Sequence, residues 1–154
     1  MSKLFIPVGL PGAGKSTFIA TFLTTESAWG RVVSTDDIRV ELTGDINDMS
    51  QNEKVFEKFH QRIDEGLSFG VTVADATNLK DFARARLFQI ANFANAETHA
   101  IVFTNIGQAL TRNRARDRTV PAEVMEQFVD QYELALRDIP HEPFTSITYI
   151  KGLS

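Results

Sequence analysis

Closely spaced glycines, a lysine and two hydroxyls stand together at Gly9-Leu10-Pro11-Gly12-Ala13-Gly14-Lys15-Ser16-Thr17, fitting the phosphate-loop pattern G-x-x-x-x-G-K-[ST] at every fixed position. Each residue type has a use. Glycines let the backbone turn with positive φ and bring its N–H groups close to anionic oxygens. The following helix offers its positive N-terminus to the same oxygens. Lys15 can reach β- and γ-phosphates, and the Ser16 hydroxyl is placed to ligate Mg²⁺. Gly9, Pro11, Gly12, Ala13, Gly14, Lys15, Ser16 and Thr17 are therefore the candidate contacts to ATP or another nucleoside triphosphate. A bare glycine turn capping a buried strand explains the glycines but not the Lys-Ser pair. A dinucleotide loop would need G-x-G-x-x-G instead.

Two acidic stretches supply further chemistry. Thr35-Asp36-Asp37-Ile38-Arg39 follows the short apolar run 31–34, and Asp75-Ala76-Thr77-Asn78 follows the run 71–74. In an α/β sheet, ligands bind in the crevice beyond the strand ends, where both stretches would lie. Helix capping by Thr35 or Asp36 and an Asx-type turn at 75–78 account for the same residues without any ligand. If the acceptor of a phosphoryl group is a hydroxyl, Asp36 is the candidate base and Asp75 the candidate metal support. Farther along, Arg112, Arg114, Arg116 and Arg118 fall within seven residues, at helical i, i+4 spacing. Their mutual repulsion would be relieved by a polyphosphate, giving a lid at about 112–121 with Arg112, Arg116 and Arg118 toward the donor.

The elements that must position these groups alternate. Apolar runs at 4–8, 31–34, 71–74 and 98–103, and a partly alternating one at 144–150, read as strands, with helical periods between them. Continuous apolar strands separated by helices imply a parallel sheet covered by helices on both faces, joined by right-handed crossovers. The first helix is expected over about 15–24. Ser50 with Glu53 reads as a capping box opening a helix whose buried stripe is Val55, Phe56, Phe59, Ile63 and Leu67. The helix from about Lys80 is expected to turn Phe82, Ala83, Leu87, Ile90, Ala91 and Ala94 inward, with Lys80, Arg84 and Arg86 outside or toward the cleft. Pro121 at or near N1 starts another, with Val124, Phe128, Tyr132 and Leu136 on one face. His60 reads as a surface histidine and His99 as a packing or surface residue.

Composition narrows the classes. The 154 residues suffice for one α/β domain, 1–154, with a core of its own. The absence of cysteine excludes disulfides and thiolate metal sites and is compatible with a cytoplasmic location. No stretch has the length and apolarity of a membrane span or a signal h-region. A net charge of −4 argues against a protein that coats nucleic acid broadly, while leaving room for one that grips a single chain end.

The motifs Gly9 to Thr17, Asp36-Asp37-Ile38-Arg39, Asp75-Ala76-Thr77-Asn78, Arg112-Asn113-Arg114-Ala115-Arg116 and Val120-Pro121 resemble, in this order, those of the 5′-hydroxyl polynucleotide kinase family, over nearly the whole chain. The Asp75 motif is similar to the D-N-T-N form of animal members and one residue longer than the phage form. The resemblance implies an adenylate-kinase-like P-loop NTPase fold and transfer of the γ-phosphate of ATP, with Mg²⁺, to the 5′-OH end of DNA or RNA. It gives Asp36 the part of general base, Arg39 a contact to the acceptor phosphate beside the reacting end, Asp75 a place beside the loop, and Arg116 that of lid arginine. Arg118 is a second lid candidate. The sequence holds no D-x-D-G-T phosphatase motif. A small-molecule or nucleoside kinase, a kinase of nucleotide sugars, and an ATP-binding module without an acceptor share parts of this set and stay open.

Overall fold

A computed structural model describes residues 2–26, 30–115 and 120–151, with the side chains at 22–26, 108 and 112–115 left out. In chain order the elements are β1 (Lys3–Val8), α1 (Lys15–Glu26), β2 (Arg31–Ser34), α2 (Thr35–Thr43), α3 (Asn52–Leu67), β3 (Val71–Asp75), α4 (Asp81–Phe93), β4 (Glu97–Phe103), α5 (Ile106–Ala115), α6 (Ala122–Asp138), a 3₁₀ turn (Ile139–His141) and β5 (Ser146–Ile150). The strands form one parallel sheet in the order β2-β3-β1-β4-β5. This is the α/β P-loop NTPase arrangement. Parallel strands ending on the same edge bring the loop after β1, the start of α2 and the end of β3 to one side.

Register shows how the faces are covered. Leu4 of β1 pairs with Thr72 of β3 and Thr98 of β4, so these three share a face, and Phe103, at odd spacing from Thr98, points to the other. A Cβ on Gly66 of α3 would stand 2.6 Å from the Thr72 hydroxyl, which places α3 hard against the first face. Phe18 of α1 meets Phe103 edge-on at 5.6 Å on the second. Between the layers, Leu4, Ile6, Val8, Val55, Ile63, Ala100 and Val102 are buried completely. A fully buried aliphatic side chain contributes about 1.5–3 kcal/mol, so this layer carries much of the folding free energy.

Several local expectations are corrected. Ser34, not Thr35 or Asp36, caps α2: its hydroxyl accepts from the Asp37 N–H at 3.3 Å. The capping box at Ser50 does not form. α3 starts one residue later, at Asn52 with Gln51 as its N-cap, and the Ser50 N–H is already taken by Asp48 Oδ1 at 2.9 Å in a side-chain turn. The α3 stripe is Val55, Phe59, Ile63 and Leu67, with Phe56 lying at its margin and exposed. In α4, Phe82 is 67% exposed and Arg84 is buried completely. The reason is spacing: Arg84, Leu87 and Ala91 lie at i, i+3 and i+7, one face of the helix, and Phe82 does not. In α6 the same logic leaves Val124 exposed and buries Met125, Tyr132 and Ala135. Pro121 stands near N1 as expected, as the N-cap of α6. His99 packs as expected, stacked on Phe5 at 5.1 Å and bonded to Ser146 at 2.6 Å. His60 is half-buried beside Phe56 and Phe59 rather than fully on the surface, and burial lowers its pKa.

The buried arginine holds the site's floor. Arg84 meets Glu142 through two bonds, Nε to Oε1 at 2.7 Å and Nη2 to Oε2 at 2.9 Å, while Nη1 donates to the carbonyls of Asn78 and Leu79. Removing one member of such a pair leaves a desolvated charge and orphaned carbonyls. Arg84→Met is expected to lower unfolding free energy by about 3–5 kcal/mol in urea titrations, and Glu142→Gln by about 1–2 kcal/mol. Losses below about 0.5 kcal/mol for both would show that the pair does not hold the fold.

Candidate active site

The loop after β1 is shaped by its glycines. Gly12 and Gly14 take φ of 85° and 88°, values that a side-chain-bearing residue adopts only with strain, and the Ala13 N–H closes a turn onto the Leu10 carbonyl at 3.1 Å. The Gly9 N–H ties the loop to the Thr77 carbonyl at 3.2 Å. Lys15, the first residue of α1, folds back so that Nζ donates to the carbonyls of Gly9 at 3.1 Å and Leu10 at 2.8 Å. Phosphate oxygens entering the loop would exchange with those carbonyls as acceptors. Ser16 and Thr17 follow with exposed side chains, open to a ligand at the helix N-terminus.

The sheet brings the two acidic stretches beside this loop. Ser34 and Asp75 are register partners at the ends of β2 and β3, so Asp36 and Asp37 in the first turn of α2 lie next to the Asp75 carboxylate. Burial pushes the Asp75 pKa up to about 6, Lys15 opposes the shift, and the negative charges of Asp36 and Asp37 add to it. Asp75 is thus both partly desolvated and crowded by like charge. Lys15 compensates only in part.

That crowding fits a cation. Among the described residues no group of three or more His, Asp or Glu forms a metal cage. Mg²⁺ commonly binds through one or two protein oxygens together with substrate phosphates, and Ser16 and Asp75 offer oxygen donors of that kind where negative charge is in excess.

Asp36 and Arg39, the acceptor-side candidates, meet on α2. Arg39 is 5% exposed; Nη1 reaches Asp36 Oδ1 at 3.3 Å and Nη2 donates to Asn52 Oδ1 at 2.8 Å. The spacing i, i+3 on α2 makes the first contact local, whereas the second crosses to the start of α3. Asn52 was not legible as a site residue, since nothing in the pattern around it marks a partner thirteen positions back. Asn78 was readable only as a turn residue. It takes φ of 52° and its buried amide donates to the carbonyls of Pro7 at 2.8 Å and Ala74 at 2.9 Å, locking the end of β3 to β1. The backbone of Arg112 and Arg114 lies in α5, which leaves the C-terminal end of β4; Arg116 and Arg118 lie outside the described residues.

Asp75 makes the metal-free protein pH-sensitive. Its folded-state pKa is raised from the ordinary 3.8 to about 6, so the folded state favours the protonated acid. The associated stability is complete below about pH 4 and is lost as pH rises through about 6. In the presence of EDTA, Asp75→Asn is expected to be more stable than wild type at pH 8, by at most about 3 kcal/mol, with the advantage shrinking toward pH 4. Denaturant melts of both proteins between those pH values check this. A difference that does not change with pH would remove Asp75 from the crowded cluster.

Comparison with known proteins agrees with the architecture. The sequence matches the AAA_33 family, described as an AAA domain, over residues 4–135. Among solved structures, one from a Pnkp1/Rnl/Hen1 RNA repair complex superposes with a TM-score of 0.76 at 25% identity over 89% of this chain, which spans only 46% of that protein's chain. Chaetomium thermophilum Kti12, solved with ADP-AlF3, gives 0.72 at 14% identity over 96% of this chain and 88% of that one. Mycobacterium tuberculosis APS kinase CysC gives 0.51 at 16% identity over 86% of this chain and 97% of that one. The last two show the fold alone. With its family match covering most of the sequence, its glycine loop around Lys15 and its 2-3-1-4-5 sheet, the chain belongs to the AAA_33 family and has the P-loop NTPase fold.

Proposed function

We propose that this protein is an ATP-dependent polynucleotide 5′-hydroxyl kinase acting through one domain, with its lid at about 112–121. The observation that carries the reading is the acceptor half of the site. A buried arginine, Arg39, is paired to a carboxylate, Asp36, at the edge of β2 beside Asp75. Donor binding does not call for this pair; an acid held next to a buried arginine beside the loop suits a hydroxyl that must lose a proton beside a phosphate. The similarity to a chain of an RNA repair complex at 25% identity supports the same assignment.

In this reading the loop N–H groups and Lys15 hold the β- and γ-phosphates, with Arg112, Arg116 and Arg118 closing over them. The 5′-oxygen attacks the γ-phosphorus in line, its proton passes to the Asp36 carboxylate as the new O–P bond forms, and the bond to the β-phosphate oxygen breaks to leave ADP. Arg39 steadies the acceptor's first phosphate. Ser16 and Asp75 would hold Mg²⁺, which would supply charge neutralisation for the transferring phosphoryl group. The positioning and charge that this chemistry requires are drawn from three strand ends.

A second reading has its own support. The net charge of −4 and pI of about 5.4 suit a small acceptor better than a long polyanion, which favours a small-molecule or nucleoside kinase using the same loop. Transfer from γ-labelled ATP to a 5′-OH oligonucleotide, a 5′-phosphorylated control and a panel of nucleosides, nucleotides and sugars separates the two. Label on the 5′-OH strand alone is expected; label only on a small molecule would replace the proposal. Lys15→Ala should abolish transfer to every acceptor. Asp36→Asn should lower kcat by about 10²–10⁴ with ATP binding retained, and an unchanged kcat would dismiss Asp36 as the base.

A further inference from the structure

Arg39 is held in an unusual way for a side chain that is to meet a substrate. It is almost wholly buried, its Nε has no partner among the described residues, and its two terminal nitrogens are divided between Asp36 and Asn52. The Asp36 contact is long at 3.3 Å, and the Asn52 contact, at 2.8 Å, is the tighter of the two. A guanidinium is planar, so fixing one nitrogen against an oxygen of a separate helix sets the plane for the others. Asn52 stands at the first position of α3, just behind Gln51, and α3 is anchored by Val55, Phe59 and Ile63 in the core. Its amide oxygen is therefore a fixed point, whereas Asp36 shares the short helix α2 with Arg39.

We infer that Asn52 is the positioning residue of the acceptor half-site: through Arg39 Nη2 it orients the guanidinium and, through Nη1, the Asp36 carboxylate. The inference rests on the reading of Asp36 and Arg39 as acceptor-side groups. It adds a residue outside both acidic motifs, and it makes the start of α3 part of the site. α2 and α3 are joined a second time by the exposed pair of Glu41 and Arg62, with both contacts at 2.8 Å, which touches neither Asp36 nor Arg39. That pair provides a control for simple loosening of the two helices.

Three variants test the assignment: Asn52→Leu, which removes the oxygen at similar size, Asn52→Asp, which keeps an acceptor, and Arg62→Ala. With a 5′-OH oligonucleotide as acceptor, Asn52→Leu is expected to raise the acceptor KM by about tenfold or more while the ATP KM changes by less than about twofold. Asn52→Asp should recover most of the loss, and Arg62→Ala should leave both constants unchanged. Equal changes in both KM values, or a matching effect of Arg62→Ala, would make Asn52 merely structural and overturn the inference. Hydrogen exchange at Arg39 Nε in the nucleotide-free protein, followed by NMR, reads the same coupling without any acceptor. It should quicken in Asn52→Leu and not in Arg62→Ala. Unchanged exchange in Asn52→Leu overturns the coupling whatever the acceptor is. Quickened exchange in a protein that phosphorylates no 5′-OH strand upholds the coupling and refutes the polynucleotide reading instead.

Discussion

The site depends on an electrostatic imbalance: Asp75, Asp36 and Asp37 converge where Lys15 alone, among the contributors to the Asp75 shift, opposes them. Three carboxylates at one sheet edge repel each other, and burial of Asp75 strengthens the repulsion by lowering the local dielectric. Nothing in the packing of an α/β domain requires such an arrangement. Parallel topology creates it, because the order β2-β3-β1 sets the ends of β2 and β3 next to each other and the phosphate loop next to both. In the proposed function, the strained Asp75 carboxylate favours the positive charge of a bound metal ion. This is the exchange of stability for function expected of an active site.

Holding repelling groups in place takes rigid backing, and the buried polar residues supply it. Asn78 staples the end of β3 to β1 through main-chain carbonyls, Arg84 in turn holds the carbonyls of Asn78 and Leu79, and Glu142 fixes Arg84 from the segment before β5. The Tyr132 hydroxyl adds a bond to the Phe103 carbonyl at 2.6 Å, pinning the end of β4 to α6. Each of these bonds ends on main chain or on a partner distant in sequence. The strand ends are thereby fixed to the apolar core and cannot relax away from one another.

Much of this was legible in the sequence, for definable reasons. The loop at Gly9 to Thr17 is legible because its glycines and lysine are demanded by phosphate geometry at fixed spacing, and the strands because two-sided burial writes continuous apolar runs. The acids at 36, 37 and 75 follow from where strands end. Arg84 was misread because charge was weighed above periodicity, although its spacing from Leu87 and Ala91 sets it on the buried face. Its partner Glu142 lies 58 residues away, and no local pattern carries such a pairing. The start of α3 was misplaced for a related reason: Ser50 and Glu53 have the right spacing for a capping box, but Asp48 captures the Ser50 N–H first. Asn52, which touches Arg39 only because α2 and α3 pack together, is visible only in three dimensions.

The crowding of carboxylates around Lys15 is tested most directly by a ¹³C NMR titration of the Asp75 side chain in wild-type protein free of metal and nucleotide. The account requires a midpoint near pH 6, where burial and the neighbouring acids outweigh Lys15. A midpoint near 4, that of an ordinary solvated aspartate, would contradict it. The carboxylate would then be neither desolvated nor crowded, and the strand ends would not form the charged cleft on which the proposed chemistry rests.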